Sequence, residues 1–347
     1  MKSKILILLS LVLSLAVFVA CGQNSGKNNS NVINEGNSNK ASENDTEDSV
    51  KDPLEVQVVS PAGSPTISMV KMFKENPKID NANIKYTMTL TTDELQAKLV
   101  SKEADFAVVP TNLAAKLYNK GIEYTLAAPV VWGNLYLIGN EKINDLNELK
   151  GKEIYTIGKG LTPDILFRHL LEANGIDPDN DVKLTYLSGG SELASNYIAG
   201  KSNLTIMPEP MLTIVKSKKT ETELIMDLQE EWNKQNGSKL GYPQASLIVK
   251  TKLVEENKEF VENFIQEFEN SVQWLEKDSS TAGIYYNELV TSIDGKVVEK
   301  SLPGSNIKYK DAEDVKVDIE KYLNILMDFS KDSIGGKLPD EGFYLEK

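Results

Sequence analysis

The chain of 347 residues is poor in the side chains that most catalytic and metal sites need. It has one cysteine, Cys21, one histidine, His169, and one arginine, Arg168. Structural zinc, disulfide scaffolds and Cys/His or Ser/His nucleophilic pairs generally require more of these residues. The sequence therefore implies no metal and no cofactor, and it argues against an enzyme of these classes.

An excess of basic residues is also absent. The chain carries 51 acidic and 38 basic residues, a formal net charge of −13, and its lysines are scattered. A nucleic-acid surface or a basic membrane-binding face needs clustered positive charge, so we expect no nucleic-acid partner. The length suffices for one large or two medium domains with a real core.

Long hydrophobic runs are scarce, and the longest, from Ile5 to Ala20, is short for a membrane span. Two lysines precede it, which is typical of a secretory signal over residues 1–20. The ending Phe18 to Gly22 resembles a bacterial lipobox, which implies cleavage before Cys21 and lipidation of its thiol. The alternatives are an ordinary signal peptide or an uncleaved anchor with an incidental cysteine. Lipidation would hold the protein at the cell membrane, on its extracytoplasmic face.

Residues 21–53 are rich in Asn, Ser, Gly and acidic side chains and have almost nothing to bury. Such a composition does not offset the entropy lost on ordering. We expect this segment to be a disordered tether, and the folded body to begin near Leu54.

Beyond Leu54, strand-like and helix-like runs alternate, which predicts an α/β fold with largely parallel sheets. Residues 55–113 superpose on residues 153–211 at a constant offset of 98. The matched pairs are turn signals: Ser64-Pro65 with Thr162-Pro163, Glu94-Leu95 with Glu192-Leu193, and Pro110 with Pro208. The offset predicts a structural duplication; the alternative is two merely similar units.

Each copy predicts three helices that begin at the carboxyl ends of parallel strands, the edge where open α/β sheets bind ligands. Ser64 and Thr162 are predicted helix caps, with the following proline at the first helical position. Helix N-termini offer backbone N–H groups and partial positive charge. The candidate ligand-binding residues in these loops are Ala62, Gly63, Ser64, Gly160, Thr162, Ser188, Gly189 and Ser191.

Two connections between the copies are predicted to be strands that cross from one lobe to the other. One contains Trp132 to Ile138 and the other contains Tyr242 to Lys250. They predict two lobes joined by a hinge. We expect lobe one to comprise residues 54–137 and 246–347 and lobe two to comprise residues 138–245. The amphipathic C-terminal helices are expected to pack on lobe one.

Three stretches carry a family resemblance. They are "LKGKEIYTIGKGLTPDILFRHLLEANGIDPDNDVKLTYL", "GGSELASNYIAGKSNLTIMPEPMLT" and "GGKLPDEGFYLEK". Together with the lipobox, they resemble the substrate-binding lipoproteins of nitrate/sulfonate/taurine-type ABC importers, a superfamily that includes binders of thiamine-related pyrimidines. The resemblance implies a two-lobed periplasmic-binding-protein-like fold of type II, which closes on a small solute and delivers it to a permease. We expect a monomer.

The type of ligand is only partly indicated by the residues. Glu209 follows a predicted strand at the position of Thr111 in the first copy, where a carboxylate would favour a nitrogen donor. Asn112, Trp132 and Asn134 are further candidates. The alternatives are that Glu209 caps the next helix and that Trp132 is hinge core. These residues favour an amino-sulfonate or a pyrimidine-like ring over nitrate.

The single arginine and the single histidine are interpreted as structural residues. Asp164, Arg168 and Glu172 are spaced i, i+4, i+8, which predicts an exposed ion-paired stripe, and His169 is interpreted as packing. An enzyme on the same scaffold, as among pyrimidine-synthase relatives, would use Cys and His chemistry that Cys21 and His169 are not placed to supply. A sensory binding module that feeds no permease is not separable from an importer component by sequence.

Overall fold

The structure is a computed structural model that describes residues 52–346. The predicted signal peptide, Cys21 and nearly all of the predicted tether lie outside the described residues. Within residues 52–346, no helix combines the length and the hydropathy needed to cross a bilayer. The first strand begins at Leu54.

The first of two sheets has the strand order β2-β1-β3-β10-β4. Its strands are β1 (Leu54–Pro61), β2 (Ala82–Thr89), β3 (Phe106–Pro110), β4 (Tyr124–Val131) and β10 (Ala245–Lys250). Strands β1 to β3 are parallel, and β10 is antiparallel to both β3 and β4. All eight residues of β4 are buried, as expected for a strand covered on both faces.

The second sheet has the order β7-β6-β8-β5-β9. Its strands are β5 (Leu135–Gly139), β6 (Glu153–Ile157), β7 (Lys183–Leu187), β8 (Leu204–Pro208) and β9 (Glu223–Asp227). Strands β6 to β8 are parallel, and β5 is antiparallel to its two neighbours. In both sheets, three parallel strands are followed by one antiparallel strand that arrives from the other half of the chain.

Thirteen α-helices are described over residues 52–346, together with four short 3-10 helices. Seven lie within the two sheet-forming units: α1 (Ser64–Ser68), α2 (Val70–Glu75), α3 (Thr92–Val100), α4 (Thr111–Asn119), α5 (Thr162–Ala173), α6 (Gly190–Ile198) and α7 (Met211–Lys218). The others are α8 (Leu228–Asn236), α9 (Thr251–Glu256), α10 (Lys258–Lys277), α11 (Ser279–Leu289), α12 (Gly295–Ser301) and α13 (Lys316–Phe329).

The duplication predicted at an offset of 98 is confirmed by the elements themselves. Helices α3 and α6 have bounds that differ by 98 at both ends, as do strands β3 and β8. The N-terminal details also repeat. Glu94 accepts a hydrogen bond from the Leu90 N–H at 3.2 Å, and Glu192 accepts one from the Ser188 N–H at 2.9 Å. The predicted α/β, two-lobed class is therefore correct.

The helix starts after β1 and β6 differ from the prediction. Ser64 and Thr162 are the first residues of α1 and α5, so the caps are Gly63 and Leu161, and neither cap makes a side-chain hydrogen bond. Pro65 therefore occupies the second helical position. Gly63 has φ +104°, a conformation that glycine adopts readily, which moves the helix start back by one residue.

Two crossings join the sheets. Residues 132–134 link β4 to β5, and residues 237–244 link α8 to β10. The crossings are held together by backbone hydrogen bonds, such as the 2.8 Å bond from the Gln244 N–H to the Val131 carbonyl. The return strand predicted within Tyr242 to Lys250 is β10.

The predicted amphipathic pattern of α10 is confirmed, because its apolar face packs on the first sheet. Phe264 stacks on Phe106 of β3 with ring centroids 3.8 Å apart. Phe260, Val261, Phe268 and Leu275 are also buried. Burial of side chains of this size contributes about 1.5–3 kcal/mol each.

Helix α13 corrects the expectation that the C-terminal helices pack on lobe one. It contacts α5, and its Tyr322 stacks on Tyr242 and meets Trp232 of α8 edge-on, with ring centroids 6.0 Å apart in both pairs. The turn that follows, residues 331–334, instead packs on α4 beside the first sheet. The periodicity of α13 predicted a buried face but not its partner. The C-terminal stretch therefore contacts both halves of the molecule.

Candidate functional site

A cavity of about 440 Å³ opens at the carboxyl ends of the parallel strands, between elements of the two sheets. The ends of β1, β3 and β6 reach it through Pro61, Pro110 and Ile157. The start of α5 and residues 330–333 complete its wall. Its size lies within the range of small-molecule sites, and its position is the predicted one.

Four of the predicted site residues line this cavity: Asn112, Gly160, Thr162 and Ser188. Two of them meet across the gap between the lobes. The Thr162 hydroxyl lies 3.4 Å from Asn112 Oδ1 and 2.8 Å from the Tyr322 hydroxyl. The Asn112 amide donates to the Ser333 carbonyl at 3.3 Å. The structure thus has the two halves in contact at the cavity wall.

Asn134 and Ser64 lie at the hinge beside the cavity. Asn134 is buried, and its amide donates to Ser64 Oγ at 2.9 Å. Gln244 pairs with Asn134 twice: its amide donates to Asn134 Oδ1 at 2.9 Å, and its own oxygen accepts from the Asn134 N–H at 3.2 Å. Gln244 lines the cavity, so the Gln244–Asn134 pair links both crossings to the cavity wall.

Several predicted backbone donors are already engaged inside the protein. The Ala62 N–H donates to the Thr89 carbonyl at 2.9 Å, and the Gly63 N–H donates to the Tyr286 hydroxyl at 2.8 Å. Thr111, also a candidate, is buried and shares a 2.8 Å hydrogen bond with Ser246. These three positions are structural anchors of the first sheet in this conformation.

The loop after β7 is organised by Glu192. Its carboxylate accepts from both the N–H and the hydroxyl of Ser188, at 2.9 and 2.5 Å, and these bonds lower the pKa of Glu192. Gly189 is the residue that caps α6, and Ser191 is exposed in the first turn. Of this group, Ser188 alone is among the cavity-lining residues.

Trp132 and Glu209 do not line the cavity. The fully buried Trp132 indole donates to the Lys308 carbonyl at 2.8 Å, which favours the interpretation as hinge core. The Glu209 carboxylate accepts from the N–H and the hydroxyl of Thr213, at 3.0 and 2.9 Å. This arrangement favours the alternative in which Glu209 caps the helix that follows it.

Arg168 and Asp164 form an ion pair that is buried, which corrects the prediction of an exposed stripe. The Arg168 Nε lies 2.7 Å from Asp164 Oδ1, and the two side chains are 11% and 3% exposed. Asp164 Oδ2 accepts from the Gly160 N–H at 2.7 Å, so the pair fixes the loop at the cavity. The i, i+4 spacing correctly predicts the ion pair, but this spacing is the same whether the pair is exposed or buried.

His169 packs beside Trp232, with ring centroids 6.0 Å apart. Burial lowers the pKa of its imidazole, although Glu172 opposes the shift. Both observations agree with a packing role.

Sequence reasoning missed Gln96, Gln244 and the C-terminal residues Ser330, Asp332 and Ser333, all of which line the cavity. Gln244 could have been proposed from the sequence, since it is a polar residue of the second crossing, just as Asn134 is a polar residue of the first. Residues 330–333 had none, because they reach the cavity from a distant part of the chain.

The position of Glu209 predicts a pH-dependent contribution to stability. Burial raises the pKa of its carboxyl to about 6, from 4.5, and a Cβ added at Gly304 would lie 3.1 Å from Oε1. The folded state therefore binds the proton more tightly, and stability falls by about 2 kcal/mol in total as pH rises from about 3.5, below both pKa values, to about 7, above both. Glu209→Gln should abolish this loss, as measured by urea denaturation across that range.

The matched control for this experiment is Glu255→Gln, at an exposed glutamate of α9. Its pH profile should follow that of the wild type. Parallel profiles for wild type and Glu209→Gln would contradict the assigned environment of Glu209.

The chain is similar in sequence and in fold to known binding and transport proteins. A curated Bacillus subtilis (strain 168) relative, named "Putative binding protein YtlA", is 20% identical over 213 residues, 60% of this chain and 60% of that protein. The match thus spans less than two thirds of that relative. A crystal structure of an ABC transporter from Parabacteroides distasonis has a TM-score of 0.73 at 28% identity, over 85% of this chain and 100% of that chain.

The periplasmic aliphatic sulphonate binding protein SsuA from Escherichia coli has a TM-score of 0.65 at 14% identity, over 85% of this chain and 94% of that chain. At this identity the likeness concerns the fold. The family described as NMT1/THI5 like matches residues 82–282, from β2 through the second sheet and into α11. Since that segment is more than half of the chain, the protein belongs to the NMT1/THI5-like family.

Proposed function

We propose that the protein is the solute-binding component of an ABC importer. The observation that carries the proposal is the cavity of about 440 Å³ whose wall is built from strand ends and helix starts of both sheets. The ABC-transporter and binding-protein names of the relatives support it. The protein would close around a small organic solute, nitrogen-bearing or of the sulfonate type, and present it to a membrane permease. A pyrimidine or thiamine precursor is the alternative ligand.

Hinge closure supplies the mechanism. The lobes are joined by two crossings, which hydrogen-bond to each other. The lobes can rotate relative to each other about these crossings. Asn112 of one half lies 3.4 Å from the Thr162 hydroxyl of the other at the cavity wall, a contact that closure would keep and opening would break. A solute that touches both halves binds the closed form more tightly than the open form, so it shifts the population toward closure.

Filling the cavity should abolish solute binding. Ser188→Trp places a large side chain in the lining, whereas Ser217→Trp changes an exposed residue of α7 that does not line the cavity. We expect a solute library to raise the melting temperature of the full-length wild type and of Ser217→Trp, but not that of Ser188→Trp. Equal shifts for both variants would contradict binding at this site. Loss of solute uptake on deletion would separate transport from sensing.

We also propose that the protein is a lipoprotein held at the extracytoplasmic face of the cell membrane through Cys21. The support is the lipobox-like sequence Phe18 to Gly22 after an apolar run. Cys21→Ser should move the protein from the membrane fraction to the soluble fraction on cell fractionation, because the acyl chains supply the anchoring. A variant that stays with the membrane, as an uncleaved anchor would, contradicts the proposal.

A further inference from the structure

Lys116 is the one basic side chain in the described lining of the cavity, and Asp332 is the one acidic side chain. The Lys116 ammonium lies 2.7 Å from a carboxylate oxygen of Asp332. The chain's arginine, Arg168, does not line the cavity, and Lys159, in the loop after β6, lies over the Tyr186 ring. The positive charge at this wall therefore comes from Lys116.

The Lys116–Asp332 pair is not what holds its two segments together. Lys116 belongs to α4, and Asp332 belongs to the turn that follows α13. The Asn119 amide, also from α4, donates to the carbonyls of Ile334 and Lys337 at 2.7 and 2.6 Å. These amide hydrogen bonds keep the turn attached to α4 even if the Asp332 carboxylate moves away.

The ion pair is also one that another anion can enter. The Asp332 side chain is 77% exposed, whereas that of Lys116 is only 29% exposed. The hydrogen bond from the ammonium lowers the pKa of Asp332, so the carboxylate is charged at neutral pH. Exposed ion pairs contribute little to stability, because water screens them and both side chains lose freedom. The carboxylate can therefore leave the pair at little cost, while the ammonium stays at the cavity wall.

We propose that Lys116 selects solutes by charge: its ammonium binds the terminal oxyanion of a small organic solute, and Asp332 occupies that place until the solute arrives. The inference rests on the proposed function, and it names a specificity-determining residue of the same cavity. An arriving sulfonate or carboxylate exchanges one charge-assisted hydrogen bond for another, so the ammonium keeps a partner throughout. A neutral solute gains nothing from this exchange. The Asp332 carboxylate is thus a competitor that lowers the affinity for anions.

Removing the two partners one at a time should change anion binding in opposite directions. Titration calorimetry on the full-length protein would compare ethanesulfonate with its uncharged isostere, ethanesulfonamide. We expect Lys116→Gln to weaken ethanesulfonate binding by about tenfold and Asp332→Asn to strengthen it by about threefold to fivefold. Both variants should bind ethanesulfonamide within about twofold of the wild type. Lys116→Arg, which keeps the charge, should retain the tighter binding of the sulfonate.

An ion pair with a purely structural role would behave differently, since both variants break it. Weaker ethanesulfonate binding by both variants, or no change in either, would overturn the inference. So would a wild type that binds ethanesulfonamide as tightly as ethanesulfonate, or that binds neither. The proposed function survives these results if the solute library still raises the melting temperature of the wild type but not that of Ser188→Trp. If that shift is also absent, both fail.

Lys252 and Glu256 of α9 provide the control pair. They are exposed, lie 3.6 Å apart at i, i+4 spacing, and do not line the cavity. Lys252→Gln and Glu256→Gln change the net charge by the same amounts as Lys116→Gln and Asp332→Asn. Both control variants should bind ethanesulfonate as the wild type does. A matching change in the control variants would show that the net charge of the protein sets the affinity, and it would overturn the role of Lys116.

Discussion

Gly241→Ala should destabilise the protein more than any other single change considered above, by about 4 kcal/mol or more. Gly241 lies in the second crossing with φ +95°, and a Cβ added there would be 2.1 Å from the Trp132 carbonyl oxygen. No carbon atom approaches an oxygen so closely without displacement of one backbone. Since the displaced atoms belong to the first crossing, the variant should lose both stability and its hinge geometry.

Urea denaturation followed by circular dichroism would measure this effect. Gly237→Ala is the matched control, because Gly237 also has a positive φ, +67°, but has no atom within 4 Å of an added Cβ. It should lose only the 1–2 kcal/mol typical of a left-handed alanine. If the two variants lose equal stability, the close approach of the crossings is not what Gly241 provides.

Asp164→Asn should destabilise the protein by about 3 kcal/mol, because it leaves a nearly buried guanidinium without its buried partner. Asp164 is 3% exposed and contacts Arg168, the Gly160 N–H and the Tyr186 hydroxyl. Asparagine retains the shape and an acceptor oxygen, so the loss reports the charge rather than the packing. The free energy of unfolding from urea titration at neutral pH is the measurement.

The other carboxylate on Arg168 provides the control. Asp179 lies 2.6 Å from Arg168 Nη1 but is 73% exposed, so water screens and replaces it. Asp179→Asn should therefore cost less than about 1 kcal/mol. Similar losses for the two variants would show that burial does not distinguish the two ion pairs.

Local chemistry allowed much of the fold to be predicted from sequence. The turn signals at Pro110 and Pro208 coincide with the ends of β3 and β8, and Thr91 caps α3 by accepting from the Glu94 N–H at 3.2 Å. These features depend on residues a few positions apart. The α/β class and the duplication followed from their regular spacing.

The details of the site were less predictable, because they depend on contacts between distant residues. Helix starts do face the cavity as expected, but Ala62 and Gly63 donate to Thr89 and Tyr286, partners 27 and 223 positions away. Likewise, no local pattern indicates that Ser333 reaches Asn112. The sequence thus predicted the edge of the sheets at which the cavity lies, but not which backbone N–H groups at that edge already donate to other parts of the protein.

The C-terminal stretch limits how far the two halves can separate. Helix α13 packs on α5, and its Tyr322 meets Trp232 of α8. The turn after it is bound to α4 by Asn112, Lys116 and Asn119. Only the nine residues between Tyr322 and Asp332 can lengthen when the halves part. Nine fully extended residues reach about 30 Å at most. A wider separation would first require the C-terminal residues to detach from α4 or from α5. These contacts therefore set an upper limit on the opening of the two halves.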